Sequence, residues 1–290
     1  MTEDLLPADI QVMVRGWLHG NVVLLAGDRP TLIDTGYHTG AEALFEAMGA
    51  HLGVAATGLH AVVLTHVHSD HAGGVAALRA GGARNVLAHA DAACLTDPWD
   101  PRGLWLVGTG QVLPRFSVDR HLEADEVVVL GNYPWRVIHT PGHATGGISL
   151  HQAELGILVS GDALWEDGFG MLLPWFDGPD VADEAAVALD AIEAANPRVV
   201  IPGHGRPFTD ISGALARARS RLYHLRTRPD RLRHAALRTL TAFFSLQDPT
   251  ATHDALIEQL MRGAAHLTDR GEAPLSHAEA TAIVDSIRRG

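Results

Sequence analysis

Thr65-His66-Val67-His68-Ser69-Asp70-His71-Ala72-Gly73-Gly74 is the stretch on which the reading of this chain turns. It ends an apolar run, residues 59–65, that reads as a buried strand. It leads into residues 72–80, a small-residue helix stopped by Gly81-Gly82. His66 and His68 are two apart on extended backbone and so point to the same side. Asp70 and His71 fall where the chain turns into the helix, and that reversal can aim them at the same point. Imidazole and carboxylate are ligands suited to zinc, and a single cysteine, Cys94, excludes a thiolate cluster and a disulfide framework.

Three further stretches place a ligand type at a strand end or in a glycine-containing turn: Thr140-Pro141-Gly142-His143, Ser160-Gly161-Asp162 and Ile201-Pro202-Gly203-His204-Gly205. Glycine beside a ligand lets backbone approach a crowded centre. Five histidines and two aspartates exceed what one tetrahedral ion can use, but suit two ions sharing a bridging carboxylate.

Working outward, residues 10–14, 21–26 and 31–34 read as strands, with a turn at Gly27-Asp28. Residues 41–52 have helical spacing. Residues 85–88, 126–130, 134–139, 148–151, 156–160 and 198–201 are further strands, Gly131-Asn132 is a second hairpin turn, and residues 184–195 form a helix. After about residue 208 the pattern turns all-helical, with helices expected over 215–225, 231–244, 253–261 and 277–288. The expected division is therefore a mixed α/β catalytic domain over 1–210 and a helical region over 211–290.

The motifs, in this order along residues 30–205, resemble the metallo-β-lactamase-fold hydrolases of the glyoxalase II-like branch. The resemblance implies an α/β fold, a four-layer αββα sandwich with a C-terminal helical extension and the site at one edge of the paired sheets. It implies that His66, His68 and His143 bind one metal, that Asp70, His71 and His204 bind a second, and that Asp162 bridges them. Leu32-Ile33-Asp34-Thr35-Gly36 also matches a family motif, with Asp34 placed to fix a ligand imidazole by hydrogen bonding. Two divalent ions, zinc by default with iron or manganese open to an all-N/O site, activate water towards neutral pH and polarise a carbonyl. The expected reaction is hydrolysis of an activated acyl bond in a thioester, ester or lactone, with Asp70 also able to pass a proton to the leaving group.

Aromatic residues flank the motifs. Trp99, Trp105, Trp165, Phe169 and Trp175 are expected as walls of an acyl pocket, and Trp17 as part of a flap. His19 and His38 lie in loops that could reach the site. Eight of the 22 basic residues, all arginines, fall between Arg217 and Arg238 with one acid, Asp230. That makes the segment +7 and the remainder −19 in a chain of net charge −12. One reading of this segment is a solvated helix face with salt bridges to the acidic body. On the other, Arg221, Arg226 and Arg228 meet an anionic carrier such as coenzyme A or a glutathione conjugate, although Pro229 interrupts any continuous stripe.

The alternatives are a phosphodiesterase or ribonuclease on the same dinuclear site and a single-iron persulfide dioxygenase. The overall negative charge disfavours nucleic acid. No apolar run reaches the roughly 18–20 residues of a membrane span, and the acidic start MTEDLLPADI lacks an apolar core. A cytoplasmic, membrane-free bacterial enzyme acting on a small molecule is expected. Oligomeric state is not legible.

Overall fold

Alternation of apolar side chains along short strands produces two packed sheets. The computed structural model describes residues 5–16, 19–267 and 274–288. Among them, one sheet has the spatial order β1 (Ile10–Met13), β2 (Val22–Leu25), β3 (Thr31–Ile33), β4 (Ala61–Val63), β5 (Val86–His89) and β6 (Arg120–Leu122). The other runs β11 (Val199–Pro202), β10 (Ile157–Gly161), β9 (Ile148–Gln152), β8 (Tyr133–His139) and β7 (Val127–Leu130). In the first sheet β1 to β3 are antiparallel and β3 to β6 parallel. In the second only β10 and β11 are parallel.

The period of two assigns each face. Val23, Leu25, Ile33, Val63 and Leu87 point inward against Trp135, Val137, Leu150, Ile157, Val159 and Ile201 of the second sheet. Val22, Leu24, Leu32, Val62 and Val86 point outward. They meet the layer that contains α1 (Ala41–Ala47), α3 (Val75–Ala80) and α4 (Ala90–Thr96). On the far side Ile138, Leu158 and Val200 pack against α6 (Val181–Ala195) and α7 (Ile211–Thr227). The architecture is thus αββα. Three further helices, α8 (Pro229–Gln247), α9 (His253–Ala264) and α10 (His277–Arg288), share an apolar cluster that also takes in Trp105 and Leu173.

Three local departures from the expected elements have physical reasons. The helix expected over 72–80 is split into α2 (Ser69–Ala72) and α3. At the break, a side chain on Gly73 would meet the backbone of His38 and Tyr37 at 2.4–2.8 Å. The helix expected over 41–52 passes into a π turn at Met48–Leu52 and stops at Gly53, whose φ is 67°. Strand β6 escapes a pattern search because only Leu122 of its three residues is buried. Among the described residues, no helix is long and apolar enough to cross a membrane.

Candidate metal centre

Five strand ends deliver the polar side chains to one edge of the sandwich. Asp34 follows β3, His66 and His68 follow β4, His143 follows β8, Asp162 follows β10 and His204 follows β11, while Asp70 and His71 sit in α2. Two groups result, His66–His68–His143 and Asp70–His71–His204, linked by the set His66–His71–Asp162, and within each the ligand atoms lie within 4.8 Å of one another. His68 Nδ1 is 3.0 Å from His143 Nε2, and His204 Nε2 is 3.1 Å from Asp70 Oδ2. Asp162 stands between the groups. Its Oδ1 is 3.4 Å from His71 Nε2, and its Oδ2 is 3.4 Å from His143 Nε2 and 3.7 Å from His204 Nε2. Ligands about 2.1 Å from a tetrahedral ion lie about 3.4 Å apart, so these spacings suit metal coordination. Gly203 makes the convergence possible, because a Cβ there would fall 2.1 Å from Asp162 Oδ1 and 2.8 Å from the His71 ring.

Hydrogen bonds on the outer side of the rings set their tautomers. The Thr65 hydroxyl donates to Asp34 Oδ2 at 2.7 Å, so it accepts from His66 Nδ1 at 3.1 Å. Asp34 Oδ2 also accepts from His71 Nδ1 at 2.8 Å, which is the contact expected of Asp34. His143 Nδ1 donates to the Met171 carbonyl at 2.7 Å. In His66 and His143 Nε2 is left as the lone-pair nitrogen, while His71 Nε2 faces Asp162 Oδ1 at 3.4 Å and Asp70 Oδ2 at 3.7 Å. The Nε2 atoms of His66 and His71 are buried without a hydrogen-bond partner. Orphaned, converging acceptors beside ionised carboxylates fit a divalent cation.

Electrostatics divide the histidines. Despite burial, Asp162, Asp70 and Asp34 hold His71 well above the ordinary imidazole range, and Asp162 and Asp70 raise His204, so both carry protons that a bound cation would replace. Burial holds His66, His68 and His143 below the ordinary imidazole range, and so neutral. Burial opposes ionisation of Asp70, but His71 and His204 outweigh it and bring the carboxyl down to about 2. Asp162 is likewise driven well below the usual range by His204 and His71, despite its burial.

The groups open into a small pocket of about 70 Å3 lined by Trp105, Trp165, Met171, Gln111, Thr239 and Phe243. Trp165 donates to Asp162 Oδ1 at 3.1 Å and meets the His204 ring edge-on. Gln111, Met171, Thr239 and Phe243 were not expected here. The helical pattern of α8 marks Phe243 as buried but gives no sign that it faces this pocket.

Other expectations are corrected. Trp99, Phe169 and Trp175 do not line the pocket. Trp99 packs edge-on to Phe116, Phe169 is buried between the sandwich and α7, and Trp175 packs on the C-terminal cluster. Arg221 donates to the Phe169 carbonyl with its guanidinium 4.8 Å over that ring. Arg226 pairs with Asp183, and Arg228 is exposed. None of the three reaches the pocket, because charge along a helix does not reveal which way that helix turns. His19 accepts from the Tyr37 amide and His38 packs on the Tyr37 ring, so neither lines the pocket. Trp17 lies outside the described residues.

A third group, His89–Asp91–His139, has the right residue types. Its two imidazoles are stacked at 4.4 Å and 5°. Lone pairs lie in the ring plane, so parallel stacked rings cannot both address one ion.

Asp177, beyond the pocket, receives hydrogen bonds from Trp105 Nε1 at 2.7 Å and Thr145 Oγ1 at 3.3 Å. Burial pushes its carboxyl up to about 7, against those bonds and with help from Glu184. An unfolded aspartate titrates near 3.9. Between about pH 4 and 7 the folded state therefore keeps a proton that the unfolded chain releases. Stability from this group is full below about pH 4 and is lost as the pH rises to about 7. Asp177→Asn removes that slope. Melting temperatures from pH 4.5 to 8 should fall for wild type relative to the variant, whereas parallel curves would show that Asp177 does not titrate there.

Histidines and aspartates gathered at one edge of an αββα sandwich define a sandwich protein with a site suited to divalent metal. The family model described as the metallo-beta-lactamase superfamily matches residues 15–204, and the chain belongs to that superfamily. It is 30% identical over 159 residues to the acyl-coenzyme A thioesterase MBLAC2 of Gallus gallus, covering 50% of this chain and 56% of that protein. It is 34% identical over 145 residues to a hydroxyacylglutathione hydrolase of Cereibacter sphaeroides, covering 49% and 47%. The chain thus spans about half the length of these relatives. Metallo-beta-lactamase domain-containing protein 1 of Xenopus laevis is 30% identical over 68% of this chain and 76% of its own length. Among solved structures, a metallo-beta-lactamase family protein from Thermus thermophilus superposes with a TM-score of 0.63 at 23% identity, over 98% of this chain and 94% of that one. The protein TTHA1623, in a di-iron-bound form, gives 0.57 at 27% identity over 72% and 98%.

Proposed function

We propose that the protein is a metal-dependent hydrolase of an activated acyl bond, with a thioester as its first substrate class and esters or lactones as the second. The observation that carries this reading is the pair of His/Asp groups joined through Asp162 at the base of a pocket walled by Trp105, Trp165, Met171 and Phe243. His66, His68 and His143 would hold one ion, Asp70, His71 and His204 a second, and Asp162 would touch both. Divalent ions bound there, zinc by default and iron or manganese otherwise, supply an acidified water and an electrophile for the acyl carbonyl. No serine or cysteine lines the pocket among the described residues.

The remaining roles belong to the protein. Asp70 lines the pocket as a carboxylate, with Oδ2 directed at His204, and is placed to carry a proton to the leaving group. The aromatic walls and Phe243 exclude bulk water and receive apolar acyl atoms. With only about 70 Å3 beside the ligands, the reacting end of a substrate enters and its carrier stays outside. The names of the thioesterase and hydroxyacylglutathione hydrolase relatives support the thioester class, and the di-iron relative keeps iron open.

The test is metal analysis of the purified protein followed by assay of acyl-coenzyme A, acylglutathione, lactone and aryl ester substrates. Metal-dependent release of thiol is the expected result. Cleavage of RNA alone, or persulfide-dependent oxygen consumption with a single iron, would overturn the reading.

A further inference from the structure

His66, His71 and His143 each use one ring nitrogen on a neighbour that fixes the ring: Thr65, Asp34 and the Met171 carbonyl. His68 differs. Among the described residues its ring is hydrogen-bonded to His143, itself a member of the same group. What covers His68 is Trp105, whose ring centroid is 4.0 Å away at a tilt of 34°. The same indole meets His143 edge-on at 5.2 Å.

Trp105 is not in a relaxed backbone position. Its φ is +56°, a region that bulky side chains seldom adopt and that the surroundings must impose. The indole N–H donates to Asp177 Oδ2, while the other carboxylate oxygen of Asp177 accepts from Thr145, two residues past His143. One carboxylate at the end of α5 (Pro174–Asp177) therefore ties the lid over His68 to the turn that bears His143. Each carboxyl oxygen accepts one of these bonds, Oδ2 from Trp105 and Oδ1 from Thr145, so both donors are served at once.

We propose that Asp177 is a positioning residue which, through Trp105 and Thr145, fixes the orientation of the His68 and His143 imidazoles in the first ligand group. This rests on the reading of those histidines as metal ligands. Asp177 touches neither ligand. It acts as an outer partner that reaches His68 through an aromatic face instead of a hydrogen bond.

The test uses full-length protein and four forms: wild type, Asp177→Asn, Trp105→Phe and the double variant. Asparagine keeps the volume but replaces one acceptor with a donor, so it cannot serve Trp105 and Thr145 together. Phenylalanine keeps an aromatic ring at His68 and removes the N–H together with part of the indole's bulk, so it tests the clamp even if the carboxylate is needed for folding. Zinc affinity is measured by competition with a chromophoric chelator, and the ligand field by the visible spectrum of the cobalt(II)-substituted protein. Each single variant should weaken zinc binding by roughly tenfold, within the range for outer partners of metal ligands, and should shift the cobalt bands. The double variant should be no worse than the singles, because both remove one link. Unchanged affinity and spectra in both single variants, or losses that add in the double, would overturn the clamp. A wild type that binds no zinc or cobalt would overturn the proposed function and the clamp with it.

Discussion

Asp162→Asn should remove metal from the protein and lower turnover of any thioester it hydrolyses by at least about 10³-fold, more than the 10–100-fold typical of outer partners. Asp162 is within 3.4 Å of a ligand nitrogen in each group, His71 on one side and His143 on the other. The amide has nearly the same size, so the sandwich and the Trp165 contact need not move. What is lost is a negative charge and an acceptor, at the one place where the two groups meet. Metal analysis and kcat/KM measured on the same preparation check this together. A variant that keeps both its metal and its turnover within tenfold would show that Asp162 is not a shared ligand.

Stripping the metals with a chelator should lower the melting temperature by roughly 5–10 °C, and adding zinc back should restore it. An ion present at about a thousand times its dissociation constant stabilises the folded state by about 4 kcal/mol. In chains somewhat smaller than this one, each 1 kcal/mol moves the midpoint by about 2–4 °C. The structural reason is local. His66 Nε2 and His71 Nε2 are buried polar atoms without a hydrogen-bond partner, and a buried acceptor left unmet is costly. Differential scanning fluorimetry with and without chelator reads the effect. Superimposable melts would mean that this cluster holds no ion that matters to folding.

The sequence was most legible where chemistry constrains residue type. Histidines and aspartates with glycine beside them at strand ends stand out in the linear chain, because a crowded centre needs those atoms and tolerates little else. The strands were legible for the same kind of reason. Trp135, Val137 and Leu150 sit at alternating positions that only an inward sheet face explains. The pocket walls were not legible. Gln111 lies in an irregular segment with no period to read, and Thr239 reaches the pocket through the placement of α8. The arginine segment follows its salt-bridge reading and not the carrier one. Arg219 pairs with Asp190 and Glu193, and Arg226 with Asp183. A dense positive run therefore serves α6 and not the pocket. Helix α4 went unnoticed because Ala90–Thr96 carries no apolar stripe to betray it.

The pocket draws on two distant parts of one chain. Its floor comes from residues between His68 and His204, while Thr239 and Phe243 arrive from α8. The ligand residues and one part of the pocket wall are thus encoded in separable stretches of the gene. A lineage can remodel what it admits by altering α8 alone, with every strand end that aims a histidine left as it was. The same separation offers a practical handle: exchanging α8 between relatives would redirect preference without rebuilding the floor.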